Sequence, residues 1–575
     1  MSRENTTFSL TGYEVLFEFF QRLDIQLFSG VTGGGVIHFL KYISPWSELK
    51  NNGTRFFTLA EYSAGFVPLG YYLSTGKIAA SVATLGAATK LLTCGLSDAK
   101  LHDIPAVYIV PAYDKDLFGK APLQDSSSLG NNMIEQLKAE SPESVFVFDD
   151  VTTIKNLLVL AEERLFNSKP IVFVLIHSVL SQPILNTKDE IKIFHPKFKE
   201  YLSLEMKMFV SKLIKMSKNK KITILVGEEM ARYSNAKTLL NNLADKIKPY
   251  LVWSMNGANA VDRNNPYSYG YLGFGGNDLA INHFQNLNED DVLLVLGACP
   301  DEYTVNLKNF TAGSTFFCGH ILNAYGQINQ TFEHRAQNEY IHLYAALDEL
   351  ISELLNQEHI FENLNAPVAP LNLNIRQITP PCQKYVNMEH FYQQIDLWWP
   401  EKSIAFSDVC LAYKDRQYVT QRPHNNVDFY SLYRGSAMGY SLGAAIGAKL
   451  AKPTQHVFIF TGDGCFKLFS GSLAEAAHLG ITLFVLNNQM FSIVEQGLKT
   501  ILSETSPEYW HASVIPIDYC LLAQANGWQA RKLNPDLSNL SEILNIALDC
   551  KQSLLVEIPV DPDQLLGINP RVHNL

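Results

Sequence analysis

The residues between Thr461 and Met490 carry the clearest chemistry in the sequence. One apolar run leads into a predicted Gly-Asp-Gly turn that carries Asp463, a second run leads to Asn488, and a helical pattern over Leu473 to Leu479 lies between them. The loops after both strands of a parallel β-α-β unit lie at the carboxyl edge of the sheet, so we expect Asp463 and Asn488 to meet there. The apolar runs that predict the two strands are residues 456–460 and 481–486.

Asp463 and Asn488 could share one cation. A carboxylate, an amide oxygen and a main-chain carbonyl are hard oxygen ligands, which suit octahedral Mg²⁺ with water and phosphate oxygens in its other positions. Gly462 and Gly464 would let the backbone approach a diphosphate, to which the amides that follow can donate. A lone Gly-Asp-Gly is more often an ordinary turn. The flanking strands and the Asn-Asn pair favour the cation-binding interpretation.

The composition favours small molecules as partners. Of the 575 residues 47% are hydrophobic and 18% charged, and the formal net charge is −11. No apolar run reaches the roughly 18 residues of a membrane span, and none follows the amino terminus as in a secretory signal. Basic residues form no patch, which argues against nucleic acid and anionic membranes. The eight cysteines include no Cys-x-x-Cys pair, so we expect neither a zinc site nor a disulfide framework, and we predict a reducing cytoplasm.

Two proline-bearing polar stretches, 182–200 and 356–382, predict connections between domains. They divide the chain into domains at 1–181, 201–355 and 383–575. Each domain contains apolar runs without polar alternation, which is typical of parallel strands covered by helices on both faces. The fold class predicted is therefore α/β, with three doubly wound domains of mainly parallel sheets. The other runs that predict strands are residues 104–110, 170–176, 221–226 and 291–296.

The segment 461–490 resembles the Gly-Asp-Gly to Asn-Asn motif of thiamine-diphosphate-dependent enzymes. The resemblance implies thiamine diphosphate and Mg²⁺ as cofactors, with Asp463, the Asn488 side chain and the Met490 carbonyl as metal ligands. The backbone amides of Gly464 and Cys465 would then contact the diphosphate. It also implies a pyrimidine-binding domain, a central domain and a diphosphate-binding domain, in that order along the chain.

The first domain is similar to the pyrimidine-binding half of the same family. Residues Phe56 to Gly65 resemble the strand and helix that present a glutamate to the aminopyrimidine ring, and we assign Glu61 to this role. A carboxylate that protonates the ring nitrogen favours the tautomer that activates the thiazolium. Taken alone, Glu61 suits a solvated helix start. The loops 29–37 and 84–90 resemble the family's glycine-bearing loops, which makes Gly86 a candidate cofactor contact.

Residues Arg434 to Gly447 resemble the family's small-residue loop and the helix that follows it. By this match the Ser436 carbonyl and the Met438 amide contact the aminopyrimidine, and the Met438 side chain lies between the two cofactor rings. A methionine buried in a helix-packing face is the alternative. Residues 406–411 occupy the place of a diphosphate-contacting loop, in which Cys410 replaces the expected glycine.

The central domain is similar in motif order to that of acetohydroxyacid synthases, which in several relatives holds FAD or another nucleotide. The matching stretches are residues 254–262, 269–276 and 296–301. Their glycines are equally explained by packing, so the sequence leaves nucleotide binding open.

The residues near the expected reaction centre favour carboligation over aldehyde release. Simple decarboxylases of the family carry paired histidines in the first domain and a carboxylate after the metal loop. Residues 111–131 contain no histidine, and Val494 stands at the carboxylate position with Glu495 beside it. Residues 121–125 resemble the synthases' Phe-Gln-Glu segment, which gives Gln124 a role facing the reaction centre, although it could be a surface loop residue.

The sequence therefore predicts an acetolactate synthase-like enzyme that decarboxylates a 2-oxo acid donor and joins the remainder to an acceptor carbonyl. The alternatives are a non-ligating decarboxylase, including one for benzoylformate-type or oxalyl-CoA-like substrates, an acyloin lyase, and, from another class, a non-catalytic scaffold that binds a cofactor. The family arrangement implies a homodimer or homotetramer with Glu61 and Asp463 of different subunits around one cofactor.

Overall fold

A computed structural model describes residues 9–45, 54–185, 202–357, 361–549 and 551–574. Three sheets of six or seven strands organise these residues, and every strand pairing recorded in these three is parallel. The α/β fold class with parallel sheets is confirmed. The predicted domain boundaries stay a prediction, because compact packing instead divides the chain into two units.

The first unit comprises Met1–Pro196, Arg434–Pro453 and Phe469–Ala476. Its seven-stranded sheet has the order β3-β4-β2-β5-β6-β8-β7, and β1 pairs antiparallel with β9. The strands are β1 Ser9–Thr11, β2 Leu27–Gly30, β3 Ser44–Pro45, β4 Arg55–Thr58, β5 Ala80–Val82, β6 Val107–Ala112, β7 Val145–Phe148, β8 Ile171–Ile176 and β9 Pro183–Leu185. Strand β9 shows that the predicted linker 182–200 begins as part of a sheet; residues 186–200 lie outside the described residues.

The first helix of this unit begins at a side-chain cap. Thr11 and Glu14 form a reciprocal capping box at the first helix, which satisfies two of its free amides. The α-helices are Gly12–Arg22, Ile37–Leu40, Glu61–Thr75, Ala87–Leu92, Cys94–Leu101, Met133–Glu140, Ile154–Phe166, His177–Leu180, Tyr440–Ala451 and Leu473–Ala476. Aromatic side chains fill the core of the sheet, among them Phe17, Phe20, Phe28, Phe39 and Phe173.

Two of these helices, Glu61–Thr75 and Tyr440–Ala451, pack with their backbones in direct contact. A methyl group added at Gly70 would lie 1.8 Å from the Ala444 carbonyl oxygen. A methyl group at Gly443 would lie 2.0 Å from the Ser63 carbonyl oxygen. A methyl group at Gly447 would lie 2.0 Å from the Val67 carbonyl oxygen. Glycine is required at each of these positions because any side chain would force the helices apart.

The second unit comprises Lys197–Tyr433, Thr454–Leu468 and Ala477–Leu575 and contains two six-stranded sheets. The central sheet has the order β12-β11-β10-β13-β14-β15, and the third has the order β17-β16-β18-β19-β21-β20. Central strands are β10 Lys221–Val226, β11 Tyr250–Trp253, β12 Ser268–Tyr271, β13 Asp291–Leu296, β14 Ser314–Gly319 and β15 Glu339–Tyr344. Those of the third sheet are β16 Ser403–Ser407, β17 Val427–Tyr430, β18 His456–Gly462, β19 Ile481–Asn487, β20 Gln529–Lys532 and β21 Leu554–Pro559.

Helices cover these sheets and bury the apolar strands. They are Leu202–Ser217, Ala236–Ile247, Asp278–Gln285, Glu302–Val305, Thr331–Arg335, Leu347–Asn356, Met388–Asp396, Ala412–Thr420, Ser492–Ile501, Tyr519–Ala525 and Leu540–Ala547, with Asp463–Phe469 following β18. In the third sheet Trp399, Phe429, Phe458, Phe460 and Phe484 form one aromatic core. None of the helices that the structure describes is long and apolar enough to cross a membrane.

Candidate functional site

Asp463 and Asn488 lie at the same edge of the third sheet, as the sequence predicts. Strands β18 and β19 are parallel neighbours, with Gly462 opposite Leu486. Asp463 follows the end of β18, and Asn488 follows the end of β19. The Asp463 carboxylate accepts the backbone N–H of Gln489, the residue directly after Asn488, at 2.5 Å. The two loops are thus joined by a hydrogen bond to a candidate metal ligand.

Asp463 is a buried carboxylate held by backbone donors. Its side chain accepts the N–H of Gly464 at 2.8 Å on Oδ1 and that of Gln489 on Oδ2, and the residue is 2% exposed. Burial raises the pKa of the Asp463 carboxyl, although backbone N–H groups, Gly464 first, act in the opposite direction. Because burial disfavours the negative charge of Asp463, a cation bound beside it would compensate that charge.

The loop after β19 has a fixed conformation. Asn488 Oδ1 accepts the Met490 N–H at 3.2 Å, and Asn488 Nδ2 donates to Ser492 Oγ at 2.6 Å. Gln489 adopts a positive φ of 57°, which turns the chain sharply. Residues 489–491 then pair with residues 512–514, with Met490 bridged to Ser513. Asn488 and Met490 are therefore placed beside Asp463 by backbone bonds.

The crossover between β18 and β19 differs from the prediction. Strand β18 continues to Gly462 and a helix begins at Asp463, so Gly-Asp-Gly is a strand-to-helix junction instead of a turn. The predicted helix over Leu473 to Leu479 ends at Ala476. Asp463 favours the earlier start because an acidic side chain in the first turn accepts a free amide and suits the helix dipole. Gly480, with φ of +71°, occupies the left-handed region before β19.

Gly464 and Cys465 lie in the first turn of this helix. A methyl group at Gly464 would lie 2.3 Å from the Phe491 ring, so the ring packs directly on the backbone at this point. The Cys465 thiol donates to the Val409 carbonyl at 3.1 Å. Val409 belongs to the segment 406–411, which the sequence matches to a diphosphate-contacting loop. This segment therefore lies against the metal loop.

Val494 and Glu495 follow the metal loop on the helix Ser492–Ile501. Val494 is 54% exposed, so the position at which a decarboxylase of the family carries its acid presents an apolar side chain. Glu495 is 5% exposed, and its Oε1 pairs with Lys499 Nζ at 2.8 Å. Its Oε2 has no hydrogen-bond partner within the described ranges.

In the first unit, Glu61 begins a helix directly after β4, as predicted. It is partly exposed, and its carboxylate makes no hydrogen bond to any residue that the structure describes. Tyr62, the next residue, donates its hydroxyl proton to the Met438 carbonyl. The structure therefore brings the start of this helix to the Met438 loop. The motifs gave no sign of Tyr62, because 376 residues separate it from its partner.

The loop that carries Ser436 and Met438 is anchored on its amino side. The Arg434 N–H donates to His102 Nε2 at 3.1 Å, and Arg434 Nη1 donates to the Leu101 carbonyl at 2.9 Å. Burial lowers the pKa of Arg434 to about 10. Ser436 follows with a positive φ of 51°, a strained conformation that tertiary contacts must stabilise.

Gln124 and Gly86 lie together in the first unit. Gly86 has φ of +75° and precedes the helix Ala87–Leu92. A methyl group at Gly86 would lie 3.2 Å from Gln124 Cγ and 3.5 Å from its Nε2. Gln124 itself is exposed and has φ of 60°, in a loop where the Tyr113 hydroxyl donates to the Leu123 carbonyl at 2.6 Å. The predicted acceptor-facing residue is thus next to a predicted cofactor contact.

The donor set around Asp463 fits Mg²⁺. It offers a buried carboxylate and an amide oxygen held close together, and these hard oxygens match that ion. Within the described ranges, no group of three or more histidine, cysteine, aspartate or glutamate residues could form a metal site of another kind. The small residues at the start of the helix Asp463–Phe469 fit a diphosphate, since the amides there have no carbonyl partner within the helix.

Comparison with known proteins bears on the same regions. Residues 210–333 match the family model for the thiamine pyrophosphate enzyme central domain, and residues 413–558 match its C-terminal TPP binding domain. The chain is 23% identical to the mitochondrial acetolactate synthase catalytic subunit of Aspergillus candidus, over 98% of this chain and 82% of the relative. It is 22% identical to a probable acetolactate synthase large subunit of Methanococcus aeolicus, over 98% and 94%.

A solved structure extends the likeness to the fold. The thiamine diphosphate-dependent 4-hydroxybenzoylformate decarboxylase of Rhodococcus jostii RHA1 superposes with a TM-score of 0.78 at 16% identity, over 96% of this chain and 99% of that one. The resemblance drawn from the motifs is confirmed. The chain is a thiamine-diphosphate-dependent enzyme whose sequence is similar to those of acetolactate synthases.

Proposed function

We propose that the enzyme decarboxylates a 2-oxo acid and joins the remaining acyl fragment to an acceptor carbonyl, giving an α-hydroxy ketone or an α-hydroxy-β-oxo acid. The observation that carries this proposal is the apolar, exposed Val494 after the metal loop. The neighbouring acid, Glu495, is buried and paired with Lys499. Without a positioned acid, protonation of the fragment is slowed by about 10² to 10⁴-fold, which leaves time for attack on a second carbonyl.

The residues of the metal loop would hold the charged end of the cofactor. Asp463, the Asn488 side chain and the Met490 carbonyl would bind Mg²⁺, and the amides of Gly464 and Cys465 would donate to the diphosphate. The Gly464 N–H would then exchange its bond to Asp463 Oδ1, which would engage the cation, for one to a phosphate oxygen. Asp463 contributes the only charged ligand of this set, so it compensates the cation most strongly. The backbone bonds of Gln489 and Met490 keep the set in place before the metal binds.

The residues of the first unit would hold and activate the aminopyrimidine. Glu61 would share a proton with a ring nitrogen, while the Ser436 carbonyl and the Met438 amide would fix the ring. When bound, thiamine diphosphate supplies the nucleophilic carbon and accepts the electrons released with CO₂. Gln124, next to Gly86, would donate a hydrogen bond to the acceptor carbonyl and so orient it for attack.

Product analysis tests the proposed reaction. Purified protein is incubated with thiamine diphosphate, Mg²⁺ and a panel of short 2-oxo acids, with and without an aldehyde acceptor, and CO₂ and products are quantified by mass spectrometry. We expect the ligated product to account for most of the CO₂ released. Free aldehyde equal to CO₂ in the presence of good acceptors would contradict the proposal.

A non-ligating decarboxylase is the second candidate, because Glu495 has one buried oxygen without a partner in the described part of the chain. Glu495→Gln distinguishes the two. If Glu495 is the proton donor, the variant shifts the products from aldehyde to ligated compound; if carboligation is the native reaction, the product ratio does not change. Glu504→Gln, at a charged position on the loop that follows this helix, serves as the control.

We further propose a homodimer or homotetramer in which Glu61 of one copy and Asp463 of another serve the same cofactor. Co-expression of Glu61→Gln with Asp463→Ala tests it, because only a mixed dimer regains one intact site. About a quarter of wild-type activity is then expected for random pairing in a closed dimer. No recovery in mixed dimers would contradict shared sites. None of the seven described cysteines is in a disulfide, and we propose a reducing, cytoplasmic setting for the enzyme.

A further inference from the structure

The central sheet has a single topological switch point. In the order β12-β11-β10-β13-β14-β15, the chain runs one way from β10 and the other way from β13. In open parallel sheets, nucleotides bind outside the carboxyl ends of the strands at this point. The corresponding crevice here is formed by the loops that follow β10, β13 and β14, at residues 227–230, 297–298 and 319–320.

The two sides of this switch-point crevice touch. A methyl group at Gly227, after β10, would lie 2.1 Å from both the Ala298 Cα and the Gly297 carbonyl oxygen, after β13. A methyl group at Gly297 would lie 2.4 Å from Glu229 Cβ and 3.0 Å from Leu347 Cδ1. The glycines of these loops therefore serve close packing within the protein, and the Glu229 side chain lies against Gly297 and Gly319.

Glu229 spans the crevice as a clamp. Its Oε2 accepts the backbone N–H of His320, after β14, at 2.8 Å and lies 3.2 Å from His320 Nδ1. The residue is 5% exposed. Burial opposes ionisation of the Glu229 carboxyl, but the bonds from His320 outweigh it and keep its pKa below the usual value. An internal anion thus occupies the place where a ligand's phosphate would lie.

Four of the amides at this edge already have acceptors inside the protein. The N–H of Gly227 donates to the Leu296 carbonyl, that of Glu229 to the Gly297 carbonyl, and that of Gly297 to the Cys318 carbonyl. The N–H of His320 donates to Glu229. Nucleotide diphosphates bind α/β folds chiefly through such amides, so displacing these bonds would leave buried carbonyls unsatisfied.

The charges at this edge also disfavour a nucleotide. Glu228 and Glu229 follow β10, and Asp301 lies beyond β13. The basic groups that interact electrostatically with Glu229 are Arg232, His320 and His342, and the other titratable groups around it are Tyr233, Tyr344 and Cys318. The charge of these basic groups is already opposed by the Glu229 carboxylate, so they offer little attraction to a ligand that carries two or more negative charges.

We infer that the chain closes the switch-point crevice with its own Glu229 carboxylate, and that the central domain holds neither FAD nor another nucleotide diphosphate there. The central sheet is then a structural element in this protein. All the residues that close the crevice belong to the central domain, so its lack of a nucleotide is independent of the reaction proposed above.

Two measurements on the full-length protein test this inference. In the first, nucleotide released from the purified protein by acid is quantified, and the protein is titrated calorimetrically with FAD and with ADP. We expect less than one tenth of an equivalent of flavin and no binding at millimolar ADP. Stoichiometric flavin, or nucleotide-dependent protection of residues 227–232 and 297–301 from hydrogen–deuterium exchange, would overturn the inference.

The second measurement tests the clamp itself. Glu229→Gln keeps the shape of the side chain but weakens its bond to the His320 N–H. We expect amide exchange at residues 227–232 and 319–320 to become at least tenfold faster, while Glu228→Gln, the neighbouring partly exposed glutamate, leaves it unchanged. Equal exchange in Glu229→Gln and wild type would show that the carboxylate does not hold the crevice closed.

Discussion

Asp463→Asn is expected to separate metal binding from folding. The asparagine keeps the size of the side chain and one acceptor oxygen, so it still holds one of the two N–H groups that bond to Asp463. Loss of the second acceptor costs about 1 to 3 kcal/mol in the ligand-free protein. The change also removes the only charged ligand of the proposed Mg²⁺ set. Mutation of a residue that only supports a metal ligand typically weakens metal binding by about 10- to 100-fold. Loss of the charged ligand itself should therefore weaken cofactor binding at least a hundredfold.

The size of this effect can be read from thermal stability. A ligand at a thousand times its Kd stabilises the folded protein by about 4.1 kcal/mol, and a hundredfold loss of affinity reduces this to about 1.4 kcal/mol. The difference of about 2.7 kcal/mol corresponds to roughly 5 to 10 °C for a domain of this size. Differential scanning calorimetry with and without thiamine diphosphate and Mg²⁺ therefore measures how much of the ligand-induced rise in Tm is lost. The Tm of the ligand-free protein separately measures the effect of the substitution on folding.

Asp301→Asn provides a matched control for this measurement. Asp301 is also a buried aspartate whose carboxylate accepts a backbone N–H, from Thr304 at 2.8 Å, but it lies in the central domain. We expect it to keep the full ligand-induced increment. If Asp463→Asn keeps that increment as well, the assignment of Asp463 as a metal ligand is wrong.

Three further predictions concern the activating residue, the helix packing and pH. Glu61→Gln should still bind cofactor but slow hydrogen–deuterium exchange at the cofactor's C2 position by about 10² to 10⁴-fold, as measured by NMR. Glu18→Gln, at an exposed position, should leave the exchange rate unchanged. Equal exchange rates in the two variants would mean that another residue activates the cofactor. Gly70→Ala should lower stability by about 1 to 3 kcal/mol because its methyl group would lie 1.8 Å from the Ala444 carbonyl oxygen, while Gly471→Ala, which meets no atom within 4 Å, should be neutral. Burial raises the pKa of Asp301 from 3.8 to about 6, so the folded chain keeps a proton that the unfolded chain releases. The contribution of Asp301 to the free energy of unfolding is fully present below about pH 4 and falls by about 3 kcal/mol as the pH rises to 6. Asp301→Asn should therefore gain stability relative to wild type between pH 4 and pH 7; parallel Tm profiles would contradict this.

The parallel strands were the most predictable part of the fold. Residues 221–226 and 291–296 are strands with the predicted bounds, and each of the other four predicted runs overlaps a strand. Their sequences are continuously apolar because helices cover both faces, and this pattern needs no knowledge of distant contacts. The meeting of Asp463 and Asn488 followed from the same reasoning, since neighbouring parallel strands end at one edge.

The remaining features depend on contacts between distant residues. Glycines on both sides of Asp463 indicated a turn, but the bond from the Gly464 N–H and the packing of Phe491 favour a helix start. The bond between Tyr62 and Met438 joins two motifs whose sequences say nothing about each other. The glycines of the central domain gave no distinction between a nucleotide site and close packing, because both require the same absence of a side chain.

The glycine-mediated contact between the helices Glu61–Thr75 and Tyr440–Ala451 has a consequence for biosynthesis. The 364 residues from Gly76 to Gly439 must leave the ribosome between the two helices, which takes roughly 20 to 70 s at 5 to 20 residues per second. During this time the buried face of the first helix, including Val67 and Gly70, lacks its partner. A nascent chain stopped at residue 433 should therefore expose this face to proteases and chaperones, and protection should appear only once residues up to 453 have emerged. The amino-terminal unit is in this sense among the last parts of the protein to be completed.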